Sequence, residues 1–311
     1  MIYSALGYPG SKRRVMDRLL PLFPDNIEDF REPFFGSGSV TIAFLQSDKA
    51  RNCKRITVGD LASEVWAFHM GCKTAPQEVV YTVKKWFNRV VPTYSKWITA
   101  TPSDKDYKII HQQVISEGRN LWREIVEFDT SNASIIDRCA RTFLSNKISF
   151  GGAMDSSSLS PNRLCKFRLE QTEQILNVSP LLQGVEILNT SFEETMADVD
   201  KDKTFVFLDP PYYAQEGSRL YGNKGDLHKE FPHKKLIDLT KSLECKWLVT
   251  YDDSPYIRRM FKGRGIDIMP FQFTYIMSHN ADTMALNGEE LIIANYKISE
   301  EKSYDILKDI L

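Results

Sequence analysis

The residues of this chain best equipped for chemistry are Asp209-Pro210-Pro211-Tyr212, set directly after the apolar run Thr204, Phe205, Val206, Phe207 and Leu208. An aryl amine such as the 6-amino group of adenine is a poor nucleophile, because its lone pair is delocalised into the ring. A carboxylate and a backbone carbonyl that both accept from that amine draw its hydrogens out of plane and release the lone pair. An aromatic ring stacked on the base holds the nitrogen in line with an electrophile, which is the positioning part of catalysis. Asp209, the Pro210 carbonyl and Tyr212 supply those three groups. The competing reading is a buried strand that closes in a turn, with Asp209 as a cap and Tyr212 as packing.

Some element must hold this tetrapeptide in place. A run so short and so uniformly apolar reads as a strand buried on both faces of a parallel sheet. Pro210 and Pro211 have no N–H to give to a ladder, so the strand ends there, at its carboxyl edge. In open α/β sheets that edge is where ligands bind.

Two further loops are candidates for the same crevice. Asp29–Glu32 leads into Pro33-Phe34-Phe35-Gly36-Ser37-Gly38-Ser39 and then the apolar Val40–Leu45, a strand, glycine loop and helix in succession. Glycines let backbone approach a ligand closely, and a helix start offers free N–H groups to a carboxylate or phosphate. The third glycine of a dinucleotide fingerprint is missing, which argues against a nicotinamide cofactor. Arg55–Gly59 reads as the next strand and ends on Asp60, about 20 residues past the glycines, where an acid commonly accepts from ribose hydroxyls. An N-cap for the following helix is the alternative role for Asp60. Upstream, Tyr8-Pro9-Gly10-Ser11-Lys12 is a turn-forming loop, and Lys12–Leu22 carries apolar residues at helical spacing.

Between about residues 65 and 167 the α/β rhythm lapses. Segments 77–91 and 106–128 read as helices, with Trp86, Phe87, Trp122 and Ile125 on their apolar faces. Ser145–Phe167 is rich in Gly, Ser, Pro and Asn, with basic residues interleaved; it reads as an exposed hairpin or loop able to enter a groove, or as a plain flexible loop. The α/β pattern resumes with a strand at Val185–Asn189, a loop aromatic at Phe192, a polar segment at Tyr213–Phe231 of lid character, a helix from His233 and a strand at Trp247–Tyr251. Phe271–Ile276 and Glu290–Tyr296 read as a terminal hairpin, and the tail from Glu300 as a short helix.

The chain has 311 residues, with 42% hydrophobic and 26% charged content, which suits a globular protein with one large domain or a core with an inserted lobe. Its 40 Lys and Arg nearly balance 41 Asp and Glu. The distribution is uneven: residues 71–170 hold 15 basic against 10 acidic side chains, leaving the remainder acidic. A basic middle on an acidic body suits a polyanion grip joined to a cation-binding core, and an uneven solvated surface would look similar. The five cysteines are scattered, without metal-ligand or disulfide spacing, so neither metal nor disulfide is expected. No signal-peptide order or membrane-length run is visible, and a cytoplasmic setting is expected.

Taken in order, these pieces resemble the DNA adenine methyltransferases of the Dam type, in which a cofactor loop, a recognition insert and a DPPY motif follow one another. The resemblance runs from about Tyr8 to Tyr296 and rests chiefly on Asp209–Tyr212, with Tyr8–Lys12, EPFFGSGS, Asp60, FLSNKISFGG, Phe192, HKKL at 233–236 and the closing GEELIIANY. It implies an α/β fold with a Rossmann-like sheet flanked by helices. Residues 1–65 and 170–311 would form the catalytic, cofactor-binding domain, and 66–169 an inserted, mostly helical target-recognition domain. It implies S-adenosyl-L-methionine as cofactor, held by Tyr8, Lys12, Glu32, Phe35, Gly36, Ser37, Gly38, Ser39, Asp60, Phe192 and Asp209, with no metal. Asp209, Pro210, Pro211 and Tyr212 would be catalytic. Asn146, Lys147, Arg163, Lys166 and Arg168 would contact double-stranded DNA. A restriction endonuclease partner is compatible with the family, as is a bacterial or phage-infected cell. Tyr8 stands where tryptophan is common, and SSSLSPNRLCKF departs from the best-known recognition hairpins, so no target sequence carries over. The same chemistry on RNA adenine and a catalytically silent DNA-binding module are the rival readings; the first is separated by matched substrates, the second by cofactor titration.

Overall fold

The computed structural model describes residues 2, 4–7, 10–154, 157–213, 231–276 and 285–298. Tyr8, the segment 214–230 and the tail from Glu300 lie outside these residues, and with them the expectations attached to a first cofactor contact, a lid and a final helix.

Seven strands form one sheet: β1 Asp29–Glu32, β2 Arg55–Gly59, β3 Val185–Leu188, β4 Thr204–Leu208, β5 Lys246–Asp252, β6 Asp267–Ile276 and β7 Ala285–Ala294. Their order across the sheet is β3-β2-β1-β4-β5-β7-β6. The first five are parallel, while β7 runs antiparallel to β5 and pairs with β6 as a hairpin. The chain order reverses direction between β1 and β4, which makes the carboxyl ends of those two strands the topological switch point.

The uniform apolarity of β4 now has its cause. Successive side chains of a strand point to opposite faces. Phe205 and Phe207 enter one hydrophobic cluster, with Phe23, Phe30 and Phe44, while Val206 and Leu208 enter another, with Trp247, Tyr251 and Phe261. Both faces are covered, so the four positions Phe205–Leu208 are all apolar, and only Thr204, at the strand's start, is polar. Fully burying each of these side chains contributes about 1.5–3 kcal/mol. In the first cluster Phe30 and Phe44 stack at 4.4 Å and Phe23 meets Phe205 at 4.8 Å.

The expected helix over Lys12–Leu22 is broken into a 3-10 turn at Lys12–Val15, a single turn α1 Met16–Leu19 and a second 3-10 turn at Leu20–Leu22 containing Pro21. Proline lacks the N–H that would continue it. Helix α2 (Ser39–Leu45) follows the glycine loop. Between β2 and β3 lies the helical lobe: α3 Ser63–Thr74, α4 Pro76–Val90, α5 Tyr94–Trp97, α6 Tyr107–Glu127, α7 Ile135–Ile148, α8 Pro161–Lys166 and α9 Glu173–Leu182. The expected domain boundary at 66 falls inside α3, and Phe68, Phe87 and Phe143 of the lobe belong to the same cluster as Phe205 of the sheet. Among the described residues, three more helices follow: α10 Phe192–Thr195, α11 His233–Ser242 and α12 Pro255–Phe261. Among the described residues, no helix is long and apolar enough to cross a membrane.

The expectation for Ser145–Phe167 holds in part. Between the end of α7 and the start of α8 the chain folds back on itself: Ser149 bridges Leu159 in antiparallel sense, the Phe150 N–H donates to the Ser158 carbonyl and the Ser160 N–H to that of Ile148. The difference is at its base, which is packed into the interior. Ser145, Asn146, Ser149 and Ser160 are fully buried. Small polar residues suit turns because they bond to nearby backbone, and that use is available in the interior as well as at the surface. Ser160 accepts from the Arg163 N–H at the start of α8.

Candidate active site

Asp209 stands at the carboxyl end of β4, where the prolines end the ladder, and its surroundings come from three other parts of the chain. The Lys12 ammonium lies 2.7 Å from Oδ1 and 2.8 Å from Oδ2 of Asp209. It also donates to the Tyr212 hydroxyl at 2.9 Å and to the Gly10 carbonyl at 3.2 Å. Thr250, buried in β5, donates its hydroxyl to Asp209 Oδ1 at 2.6 Å. Glu290 of β7 places Oε2 3.9 Å from the Lys12 ammonium. Burial works against the Lys12 charge, but the Asp209 and Glu290 carboxylates more than offset it and hold its pKa above the ordinary lysine value. A buried lysine between two carboxylates is firmly charged.

Tyr212 lies beside this cluster, its ring stacked on Tyr251 at 6.1 Å with the Lys12 ammonium 5.2 Å from the ring centroid. Its neighbour Tyr213 is anchored twice: its N–H donates to Asp252 Oδ1 at 2.6 Å and its ring stacks on Tyr256 at 4.3 Å. Asp209 retains 21% side-chain exposure, so its carboxylate is reachable from outside.

The glycine loop between β1 and α2 borders the same edge. Gly38 adopts φ +74°, and a Cβ there would come within 3.0 Å of both the His69 and Phe35 rings, so only glycine fits. The Gly36 N–H donates to Asp60 Oδ2 at 2.8 Å, and Asp60 Oδ1 accepts from the Ala62 N–H, also at 2.8 Å. Asp60 is thus held in one orientation at the tip of β2. Its burial raises the carboxyl pKa to about 6, partly opposed by those two backbone bonds. Glu32, buried at the end of β1, accepts from the Thr41 N–H and hydroxyl; burial drives its pKa to about 8, and the nearby Asp209 and Asp60 charges add to the rise.

Glu32 senses the charges of both Asp209 and Asp60 at this one sheet edge, and a negative edge suits a ligand bearing a cation. S-Adenosyl-L-methionine carries two, a sulfonium and an ammonium, together with ribose hydroxyls for an acid such as Asp60. The residues present therefore fit that cofactor.

The sequence candidates divide when set on the structure. Lys12, expected to contact the cofactor, places its ammonium on Asp209, another of the expected cofactor contacts, and on Tyr212. Phe35 is buried against His69 at 4.2 Å. Ser37 and Ser39 are buried, with the Ser39 N–H 3.4 Å from Ser37 Oγ. Phe192 is nearly buried, its ring 5.9 Å from Phe34 and 6.0 Å from Phe231.

Of the five residues expected on DNA, four spend their polar groups on the chain's own backbone. Asn146 accepts from the Gly7 N–H and donates to the Gly7 and Gly152 carbonyls. Lys147 donates to the Ala5 carbonyl and to Gln174. Arg163 donates to the Asn146 and Lys147 carbonyls at the end of α7, and Arg168 to those of Cys165 and Phe167. Lys166 and Arg168 are the two that remain exposed. Burial, with the Arg163 and Arg13 charges nearby, lowers the Lys147 pKa to about 8.

Thr250, Asp252, Glu290 and His69 escaped the sequence reading. Glu290 had a signal, a carboxylate abutting the apolar run Leu291–Ala294, and Asp252 a similar one at the end of a buried strand. Thr250 and His69 sit in patterns that look like ordinary core.

Comparison with known proteins agrees with this geometry. The sequence profile of the D12 class N6 adenine-specific DNA methyltransferases matches residues 8–276. A curated relative, Type II methyltransferase M1.LlaDCHI of Lactococcus lactis subsp. cremoris, is 21% identical over 304 residues, covering 93% of this chain and 94% of its own. Most of the chain, the glycine loop, helical lobe and Asp209–Tyr212 included, lies within the matched span, and the chain belongs to the D12 class of N6 adenine-specific DNA methyltransferases.

Proposed function

We propose that the chain transfers a methyl group from S-adenosyl-L-methionine to the 6-amino group of an adenine flipped out of duplex DNA, at a specific sequence. The observation that carries this reading is the Asp209 carboxylate at the open end of β4, flanked by Tyr212 and by the glycine loop with Asp60.

The target amine is unreachable inside a duplex, and extruding a base costs a few kcal/mol. Tyr212 offsets part of that by stacking on the base, a contact worth about 1–3 kcal/mol. Asp209 and the Pro210 carbonyl accept from the amine and turn its lone pair toward the methyl donor. The cofactor supplies a methyl already activated on a sulfonium. The nitrogen–carbon bond forms as the carbon–sulfur pair returns to sulfur, and the amine sheds one proton, for which Asp209 is the nearest base. The incoming amine takes over one of the two carboxylate oxygens now shared with Lys12, while Lys12 and Thr250 keep the other oriented. On the cofactor side, Asp60 accepts from the ribose, Glu32 and the glycine loop border the methionine end, and Phe192 flanks the adenine.

The lobe between β2 and β3 is the DNA-recognition unit in this reading, with Lys166 and Arg168 its exposed basic candidates. The Lactococcus relative is named as a Type II methyltransferase; by analogy this chain serves a restriction–modification pair or acts alone, in a bacterial or phage-infected cytoplasm. The deciding assay follows label from the cofactor into matched DNA and RNA. Label at adenine N6 of DNA with the native chain, and none with Asp209→Ala, supports the proposal. Transfer to cytosine or RNA alone, or undiminished transfer by the variant, overturns it.

A further inference from the structure

His69 of α3 is buried to 1% exposure, yet it reaches out of the helical lobe to the glycine loop. Its Nε2 lies 2.8 Å from the Gly36 carbonyl oxygen. A carbonyl only accepts, so Nε2 carries the proton and the ring is neutral with its lone pair on Nδ1. Nδ1 is buried and, among the described residues, has no hydrogen-bond partner, so a second proton would find no acceptor there; burial lowers the pKa of the ring to about 4. The ring packs 4.2 Å from Phe35, and its Cε1 is one of the atoms that leaves room for nothing larger than glycine at position 38.

The consequence is that Gly36 is gripped from both sides. Its N–H is bound by Asp60, at the end of β2, and its carbonyl by His69, in the lobe. The N–H and the carbonyl of Gly36 belong to successive peptide groups, and a glycine has few steric limits between them, so the two external bonds together select one conformation, at φ +46°. That conformation aims the Gly36 N–H at Asp60 Oδ2 and thereby orients the carboxylate. A loop that must be ordered before it binds loses affinity in proportion to the ordering it still requires, and a loop held beforehand does not.

We infer that His69 is a positioning residue for the cofactor: by holding the Gly36 carbonyl it preorganises the glycine loop and, through Gly36, the Asp60 carboxylate. The inference rests on the proposed cofactor reading. It makes a distinction that ordinary core packing does not, because it requires loss of the Nε2–H donor to weaken cofactor affinity while leaving methyl transfer intact once cofactor is bound.

The test compares native chain, His69→Phe and His69→Gln by calorimetric titration with S-adenosyl-L-methionine and by single-turnover methylation at saturating cofactor. His69→Phe keeps a ring of similar shape against Phe35 and removes the donor; His69→Gln loses the ring and restores an N–H donor. Loss of one buried hydrogen bond predicts about tenfold weaker cofactor binding for Phe. The single-turnover rate should stay within about twofold, and Gln should recover most of the affinity. Unchanged affinity in a folded His69→Phe chain overturns the inference. So does a rate loss at saturation with affinity retained, and so does equal weakening in both variants, which marks packing alone. If Phe at 69 prevents folding, His69→Met fills the pocket without a donor and is read by the same criteria. Failure of the native chain to bind the cofactor would instead refute the cofactor reading, a result distinct from any of these.

Discussion

Two polar, glycine-containing regions of the molecule invite the same description and behave in opposite ways. At the carboxyl edge of the sheet, side chains meet other side chains: Lys12 meets Asp209, Tyr212 and Glu290, and Thr250 meets Asp209. In the turn between α7 and α8, side chains meet backbone: Asn146 holds Gly7 and Gly152, Lys147 holds Ala5, and Arg163 holds the last carbonyls of α7. The packing there is close enough that a Cβ on Gly152 would come within 2.4 Å of the Gly7 carbonyl oxygen. A side chain committed to backbone fixes the path of the chain. One poised among other side chains can exchange partners when a ligand arrives. Around Asp209 the difference separates the poised cluster from the architecture where residue type alone does not; the glycine-loop side of the edge, where Asp60 accepts from the Gly36 and Ala62 N–H groups, shares the second pattern.

That contrast is most severely tested at Asp209. Replacing it with alanine should lower methyl transfer at least about a thousandfold per folded molecule, with some stability lost as well, because the buried Lys12 ammonium then loses its nearer counter-charge and keeps Glu290. An activity loss no larger than the unfolded fraction explains would erase the distinction between the two regions. Asn146→Ala should give the mirror image. Three buried backbone bonds lose their partner, at a cost of about 2–4 kcal/mol read by denaturant unfolding, while cofactor affinity per folded molecule is retained.

The titrating carboxyls sharpen the picture of the edge. Glu32 has a folded pKa of about 8 against 4.5 unfolded, so the native state keeps a proton that the unfolded chain releases. Its contribution to stability is therefore complete below about pH 4.5 and is lost as pH rises toward 8, a change on the order of a few kcal/mol. Glu32→Gln should remove that slope, seen as a melting temperature that gains on the native protein as pH climbs. Asp60 must be ionised to accept fully from ribose, and its pKa of about 6 sets the range. Cofactor affinity should rise with pH up to about 7 and level off, by up to about tenfold per unit below the pKa, and Asp60→Asn should flatten the profile. The smallest effect is expected at Lys166, whose exposed ammonium is a phosphate contact in the proposed complex. Its change to alanine should weaken DNA binding a few-fold and reduce the salt slope by about one, without affecting cofactor titration.

Much of the sheet and of its ligand edge was legible in advance, because the signals are local. The strand before Asp209, the glycine loop before α2, the strand before Asp60 and the terminal hairpin each announce themselves within about ten residues of chain. The α7–α8 turn was legible as a chain reversal but not in its burial, for a related reason. Ser, Gly and Asn mark a departure from regular structure but say nothing of whether it is solvated, and Ser145, Asn146 and Ser149 proved to be core. The five residues expected on DNA came from the same composition, and burial reassigned most of their polar atoms to backbone.

What the amino-acid sequence determined by itself was which residues end the central strands and which chemical groups stand at those ends. Apolar runs, prolines and glycines act on the backbone they belong to, whatever surrounds them. Only the tertiary structure decided who meets whom: Lys12 with Asp209 across 197 residues, Asn146 with Gly7 across 139, and His69 with Gly36 across 33. Such pairings depend on how the sheet and lobe pack, and a side chain's own neighbours in sequence carry no record of a partner brought to it by folding.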